Sequence, residues 1–423
     1  MRPATPVRLC RSAIATLSVS LFTFTTFTTS CSSPPNPMES WRPELAVVTP
    51  VALTDLGTLG GNHSEALAIN VRGQVAGFST TATGERHAFF WDGGAMRDLG
   101  AFAGGTFGTP FIALNDAGQV AFTSVVASGE RHAVLWDGTT VRDLGTLGGD
   151  YSEATDLNAA GQVVGFSRIV AGGFDFHAVV WDHSVLRDLG PGRALAINAL
   201  GQVTGFGASH AFLWDGRALS DLGTLGGSTS FGTTINERGQ VAGVSSLASG
   251  TSHAFFWDGS AMHDLGAVGS ADWPGDPSSW FSAATAINAR GQLAGFSAGF
   301  LPQQELAFFW DGTTMHSLGT LGGADSHAMA MNGRGQVVGQ AALPSSTCFD
   351  YEVGCHAFLW NGTTMLDLGS LGNGPSVALA INRRGQIAGW SSPGDLHLDA
   401  PIHAVVWTPR PTSVATAVTT GER

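Results

Sequence analysis

The chain has 423 residues, enough for one large repeat domain or two ordinary ones. Gly fills 58 positions without a three-residue period, which excludes a collagen-like chain and suits a fold with many tight turns. The formal net charge of −13, with no basic patch, repels phosphate backbones and excludes nucleic acid as a partner.

In chain order, Arg2, Arg8 and Arg11 precede an apolar and Ser/Thr run from Ser12 to Thr29. Ser30, Cys31 and a Pro-rich stretch through Pro43 follow. An apolar segment this short, with these flanks, reads as a signal peptide over 1–30 and not as a membrane span. Residues 31–50 read as a Pro/Ser-rich tether. Ser30-Cys31 resembles a bacterial lipoprotein cleavage site, which implies lipidation of Cys31. The expected location is then the bacterial cell envelope or beyond it, as an outer-membrane lipoprotein that touches the membrane only through that anchor. Cleavage after residue 30 takes away three Arg and no acid, so the net charge moves from −13 to −16.

A repeat begins at Asp55. Its first element is Asp-Leu-Gly, starting at Asp55, Asp98, Asp143, Asp188, Asp221, Asp264 and Asp367, with Ser317 in place of Asp once. The second is Asn-x-x-Gly-Gln, with its Asn at 70, 115, 158, 198, 236, 288, 332 and 382. The mean step is about 45 residues, within the range for four-stranded propeller blades. The third is His-Ala followed by apolar residues and Trp, ending at Trp91, Trp136, Trp181, Trp214, Trp257, Trp310, Trp360 and Trp407.

Each unit therefore predicts four strands: one ending in Ala-Ile-Asn, one beginning Gln-Val, one of the His-Ala-Phe-Phe-Trp type, and one ending in Asp-Leu-Gly. The Asn-x-x-Gly and Asp-Gly links are hairpin chemistry. No sustained 3.6-residue apolar period predicts a helix. The fold class is all-β, an eight-bladed β-propeller over residues 51–408, with 409–423 a disordered tail. The chain opens on a fourth-strand element and ends after a third-strand element at Trp407. The N-terminal strand is thus expected to complete the last blade and close the ring, with residues 51–58 pairing beside the strand that ends at Trp407.

The run Asp-Leu-Gly-Thr-Leu-Gly-Gly, then Ala-Ile-Asn-x-x-Gly-Gln-Val, then His-Ala-Phe-x-Trp resembles the HAF-repeat family of bacterial extracellular proteins. The resemblance spans residues 53–407. It implies a propeller and export, and carries no activity with it. Departures are Leu306 at the His position, Ser317 at the Asp position and the shortened Pro191-Gly192-Arg193 link.

The repeated His87, His132, His177, His210, His253, His356 and His403 fall in different units. They read as strand-start residues that hold turns by hydrogen bonds, and not as metal ligands. The repeated Asp reads as a turn or strand-end acceptor, and the repeated Trp as inter-blade core, each burying about 150–250 Å². No nucleophile elbow, phosphate loop or zinc-protease motif occurs. No metal and no cofactor are expected. Cys348 and Cys355, seven positions apart in one loop of an exported chain, are expected to form a disulfide.

Connection lengths separate two faces. Asn to Gln is four residues in every unit, and Trp to the following Asp or Ser317 is seven wherever both occur. By contrast, Gln to the His position ranges from 8 (Gln202 to His210) to 20 (Gln336 to His356). The Asp position to Asn ranges from 10 (Asp188 to Asn198) to 24 (Asp264 to Asn288). Both variable connections open on one face of the ring, where function is expected. The longest of them gather the scarce aromatics and carboxylates. Candidate ligand-binding residues are Tyr151, Asp272, Trp273, Asp276, Trp280, Asp350, Tyr351 and Glu352. The expected function is a monomeric binding or scaffold protein for a glycan or protein ligand. The alternatives are a polysaccharide lyase or hydrolase with a site over the ring centre, and a purely structural envelope protein.

Overall fold

A computed structural model describes residues 51–104, 111–183, 185–269, 280–299, 305–348, 354–394 and 400–409. Among them the strands form eight antiparallel four-stranded sheets, and none of these residues is helical. In chain order the blades span 60–101, 113–143, 152–191, 193–221, 226–264, 281–319, 326–367 and 376–409, the last completed by 51–55. They are numbered 1 to 8 below. The protein is an all-β eight-bladed propeller.

Closure follows the strand phase of the sequence. Strand Val51–Asp55 pairs antiparallel with His403–Pro409, Leu53 opposite Trp407, as the fourth strand of blade 8. Asp55 meets His403 across this seam at 2.8 Å, and the Leu56 amide donates to the Ala404 carbonyl.

The core lies between blades, because each sheet is apolar on both faces and only a neighbouring sheet can cover it. Trp136, Trp181, Trp310, Trp360 and Trp407 are buried, and Trp91, Trp214 and Trp257 are half-buried in the same clusters. Phe90 of blade 1 packs on Trp136 of blade 2, and Phe256 of blade 5 on Trp310 of blade 6.

The innermost turns are latched to one another. In blade 1 the Asn70 side-chain oxygen accepts from the amides of Arg72 and Gln74, which fixes the turn. Its side-chain nitrogen donates to Gln74 Oε1 and, at 3.0 Å, to the Asn115 carbonyl of the next blade. The same inter-blade bond recurs from Asn115, Asn158, Asn198, Asn236 and Asn332, and Asn382 returns to the Asn70 carbonyl. At Asn288 the side-chain nitrogen lies instead 3.9 Å from Met331 Sδ. The Gly of each turn has a positive φ, a conformation that favours glycine. Gly73 sits at φ 83°, and a Cβ there would lie 3.0 Å from the Gln386 side chain of the preceding blade.

Candidate functional site

The repeated polar residues are structural. Each repeated His donates its Nδ1–H to the Asp carboxylate of its own blade, at 2.8–3.0 Å, from His87–Asp98 to His356–Asp367. That Asp also caps its turn by accepting from the amide two residues on, as Asp98 does from Gly100. The two sequence departures in blade 6 are therefore one event. Leu306 takes the place of the His and Ser317 the place of its partner. Leu306 packs instead on Trp280.

The face that carries the Asn-x-x-Gly turns opens at the ring axis into a space of about 390 Å³ with Ile69, Leu114, Leu157, Ile197, Met331 and Ile381 in its wall. Two of its carboxylates bind neighbouring blades, Asp116 accepting from the Val71 amide and Glu237 from the Ala199 amide, and Arg383 also lines it. Asp156, on an innermost strand, accepts from the Leu157 and Ile197 amides, and burial pushes its carboxyl above the usual range.

Of the residues expected to bind ligand, Tyr151 and Trp280 lie within the described structure and both are buried. Tyr151 donates its hydroxyl to Glu153, stacks on Phe166 and meets Phe176 edge-on. Asp272, Trp273, Asp276, Asp350, Tyr351 and Glu352 lie outside the described residues, as does Cys31. Cys348 and Cys355 form the expected disulfide. The loop base is fastened beside it: the Cys348 amide donates to both oxygens of Asp325, and the Leu343 amide to the Gly354 carbonyl. Burial raises the Asp325 carboxyl, opposed by that same amide.

The variable face carries a cleft that the longest loops do not predict. It lies between blades 3 and 4 and encloses about 420 Å³. Its walls are Ile169, Phe174, Asp175, Phe176 and His177 from blade 3, Pro191, Gly192 and Arg193 from the link, and Phe206 and Ala208 from blade 4. Phe174 stands on the rim with 90% of its surface exposed. The Arg193 guanidinium lies over Phe166 at 4.4 Å and over Phe176 at 4.8 Å. Burial holds it below its usual value, while Glu153 and Tyr151 act in the opposite sense. Glu153 is fully buried behind it. Arg168 is paired with Asp150 at 3.1 Å, and His177 with Asp188 at 2.8 Å. The arrangement joins aromatic faces to a guanidinium and to the Asp175 carboxylate.

No protein-family model matches the chain, and no curated protein matches it. Solved structures are similar at low identity. TolB from Acinetobacter baumannii is 12% identical at a TM-score of 0.33, over 58% of this chain and 50% of that one, so the chain spans about half its length. A lectin from Burkholderia pseudomallei is 10% identical at a TM-score of 0.43, over 72% of this chain and 98% of the lectin. An ulvanlyase of a new polysaccharide lyase family is 10% identical at a TM-score of 0.37, over 82% and 95% of the two chains.

Proposed function

We propose that the protein is an exported binding or scaffold protein, anchored through a lipid on Cys31, that engages a glycan or protein ligand with its variable face. One observation carries the reading: the two faces use their polar groups differently. On the uniform face the Asn side chains and the carboxylates Asp116 and Glu237 take part in inter-blade bonds. On the variable face an open cleft presents Phe174 to solvent and has the half-buried Arg193 in its wall. Concave sites lined by aromatic side chains with a few fixed polar groups are the usual form of a small-ligand site. The lipid anchor keeps the ring at an envelope surface, where a ligand-binding face is useful without catalysis.

The test is a glycan array and a crosslinking capture with the intact exported protein. Bound partners should be lost on substitutions in the variable connections and retained on Ala159→Ser in an Asn-x-x-Gly turn. A ligand lost only on changes in the Asn-x-x-Gly turns would put the site on the opposite face and refute the reading.

A further inference from the structure

The blade 3/4 cleft exists because an internal plug is missing. At the other seven joints the fourth residue after the Asp position is apolar: Leu59, Phe102, Leu147, Leu225, Val268, Leu321 and Leu371. Each packs into the inter-blade core. Five of them are also pinned by their amides to a Ser of the second strand, as Leu59 is to Ser79 Oγ at 2.9 Å. At the 3/4 joint that position is Gly192. The chain from Asp188 to Asn198 is five residues shorter than from Asp221 to Asn236. The pinning Ser is absent as well, since Gly207 occupies its position in blade 4. The facing connection, Gln202 to His210, is the shortest of its kind.

Both walls are thus cut back at one joint. The gap cannot be refilled by a single side chain. A Cβ on Gly192 would lie 2.3 Å from the Phe206 carbonyl oxygen, and its φ is 139°.

We infer that this cleft is a binding site for a neutral sugar ring. The inference rests on the proposed function and names its ligand class and place. The volume of about 420 Å³ suits one pyranose and part of the next. Phe174, Phe176 and Phe206 offer apolar faces for the C–H side of such a ring. Arg193, whose guanidinium lies over two phenyl rings, offers N–H donors to hydroxyl oxygens, and the Asp175 carboxylate accepts from hydroxyls. Charge decides against an acidic sugar. Arg193 already faces Glu153, so Asp175 leaves the cleft on the negative side. It decides against a purely apolar ligand too, because covering the exposed Asp175 carboxylate with apolar surface is costly.

The experiment is ligand-observed saturation-transfer NMR on the intact protein. The probes are methyl glycosides of glucose, galactose, mannose and fucose at millimolar concentration, with methyl glucuronide and methyl sialoside as charged counterparts. At least one neutral glycoside should bind, and the acidic ones should not. Phe174→Ala, at an exposed position, should weaken that binding about three- to tenfold, the factor an aromatic contact carries. Replacing residues 191–192 by a copy of 224–230 restores the plug and should abolish it. Should that graft fail to fold, Phe174→Ala decides alone.

Neutral-sugar binding indifferent to Phe174→Ala overturns the cleft assignment and leaves glycan binding elsewhere on the variable face intact. Binding of acidic glycosides alone overturns the ligand class. Binding of no glycoside overturns the inference, while capture of a protein on the variable face would still sustain the proposed function.

Discussion

Replacing Asn382 by alanine removes four hydrogen bonds at the joint that bridges the seam of the ring. Its side-chain nitrogen donates to the Asn70 carbonyl at 2.9 Å and to Gln386 Oε1 at 2.9 Å. Its oxygen accepts from the Arg384 and Gln386 amides at 2.9 and 3.0 Å. Asn382 is buried, so water replaces these partners only in part. At about 0.5–1.5 kcal/mol each, with some recovery by the turn backbone, the loss should be about 2–4 kcal/mol. A ring of roughly 360 residues has a melting entropy near 0.75 kcal/mol per degree, so Tm should fall by about 3–5 °C.

The informative comparison is Asn158→Ala, at a joint inside the continuous chain. Its four bonds have the same form, including the 3.1 Å bond to the Asn198 carbonyl. In a closed ring the two variants should lose equally. Thermal unfolding followed by tryptophan fluorescence gives the first readout, and hydrogen exchange at the Arg384 and Gln386 amides the second. A silent Asn382→Ala beside a costly Asn158→Ala would mean that the seam joint is not latched, and the reasoning would fail.

Three further outcomes are expected. A double-mutant cycle on His253 and Asp264, paired at 2.8 Å, should show a coupling of about 0.5–1 kcal/mol, small because Asp264 is largely exposed; strict additivity would remove the pair from the account of the turn. Reducing Cys348–Cys355 should free two thiols and loosen that loop while leaving the main transition in place, because Asp325 and the Leu343–Gly354 bond still hold its base; global unfolding on reduction would contradict this. The third outcome concerns pH. Because burial raises Asp156 in the folded state, the folded chain binds the proton more tightly than the unfolded one. The stability this contributes is present below the ordinary carboxylate range and is lost as pH rises through the raised value. Asp156→Ala, which copies the alanine found at this position in most blades, should therefore gain in Tm relative to the parent between pH 4 and pH 7. A difference independent of pH would refute it.

The repeat by itself determined the blade count, the four strands of each blade and the closing strand. These depend on local β chemistry and on the phase of the first and last elements, both of which are written along the chain. Only the tertiary structure decided what the repeated polar residues bind. Asn70 and Asn115 are 45 residues apart in sequence, and only the ring curvature brings the amide of one to the carbonyl of the other. Leu306 and Ser317 look like two independent departures until the sheet brings the His ring to the Asp carboxylate in the other blades.

The cleft shows the same limit from the other side. Both short connections, Asp188 to Asn198 and Gln202 to His210, are legible as lengths, yet attention to long loops passes over them. One belongs to the link between blades and the other to the next blade. They become a cavity only because packing sheet against sheet sets the two deletions face to face across one joint.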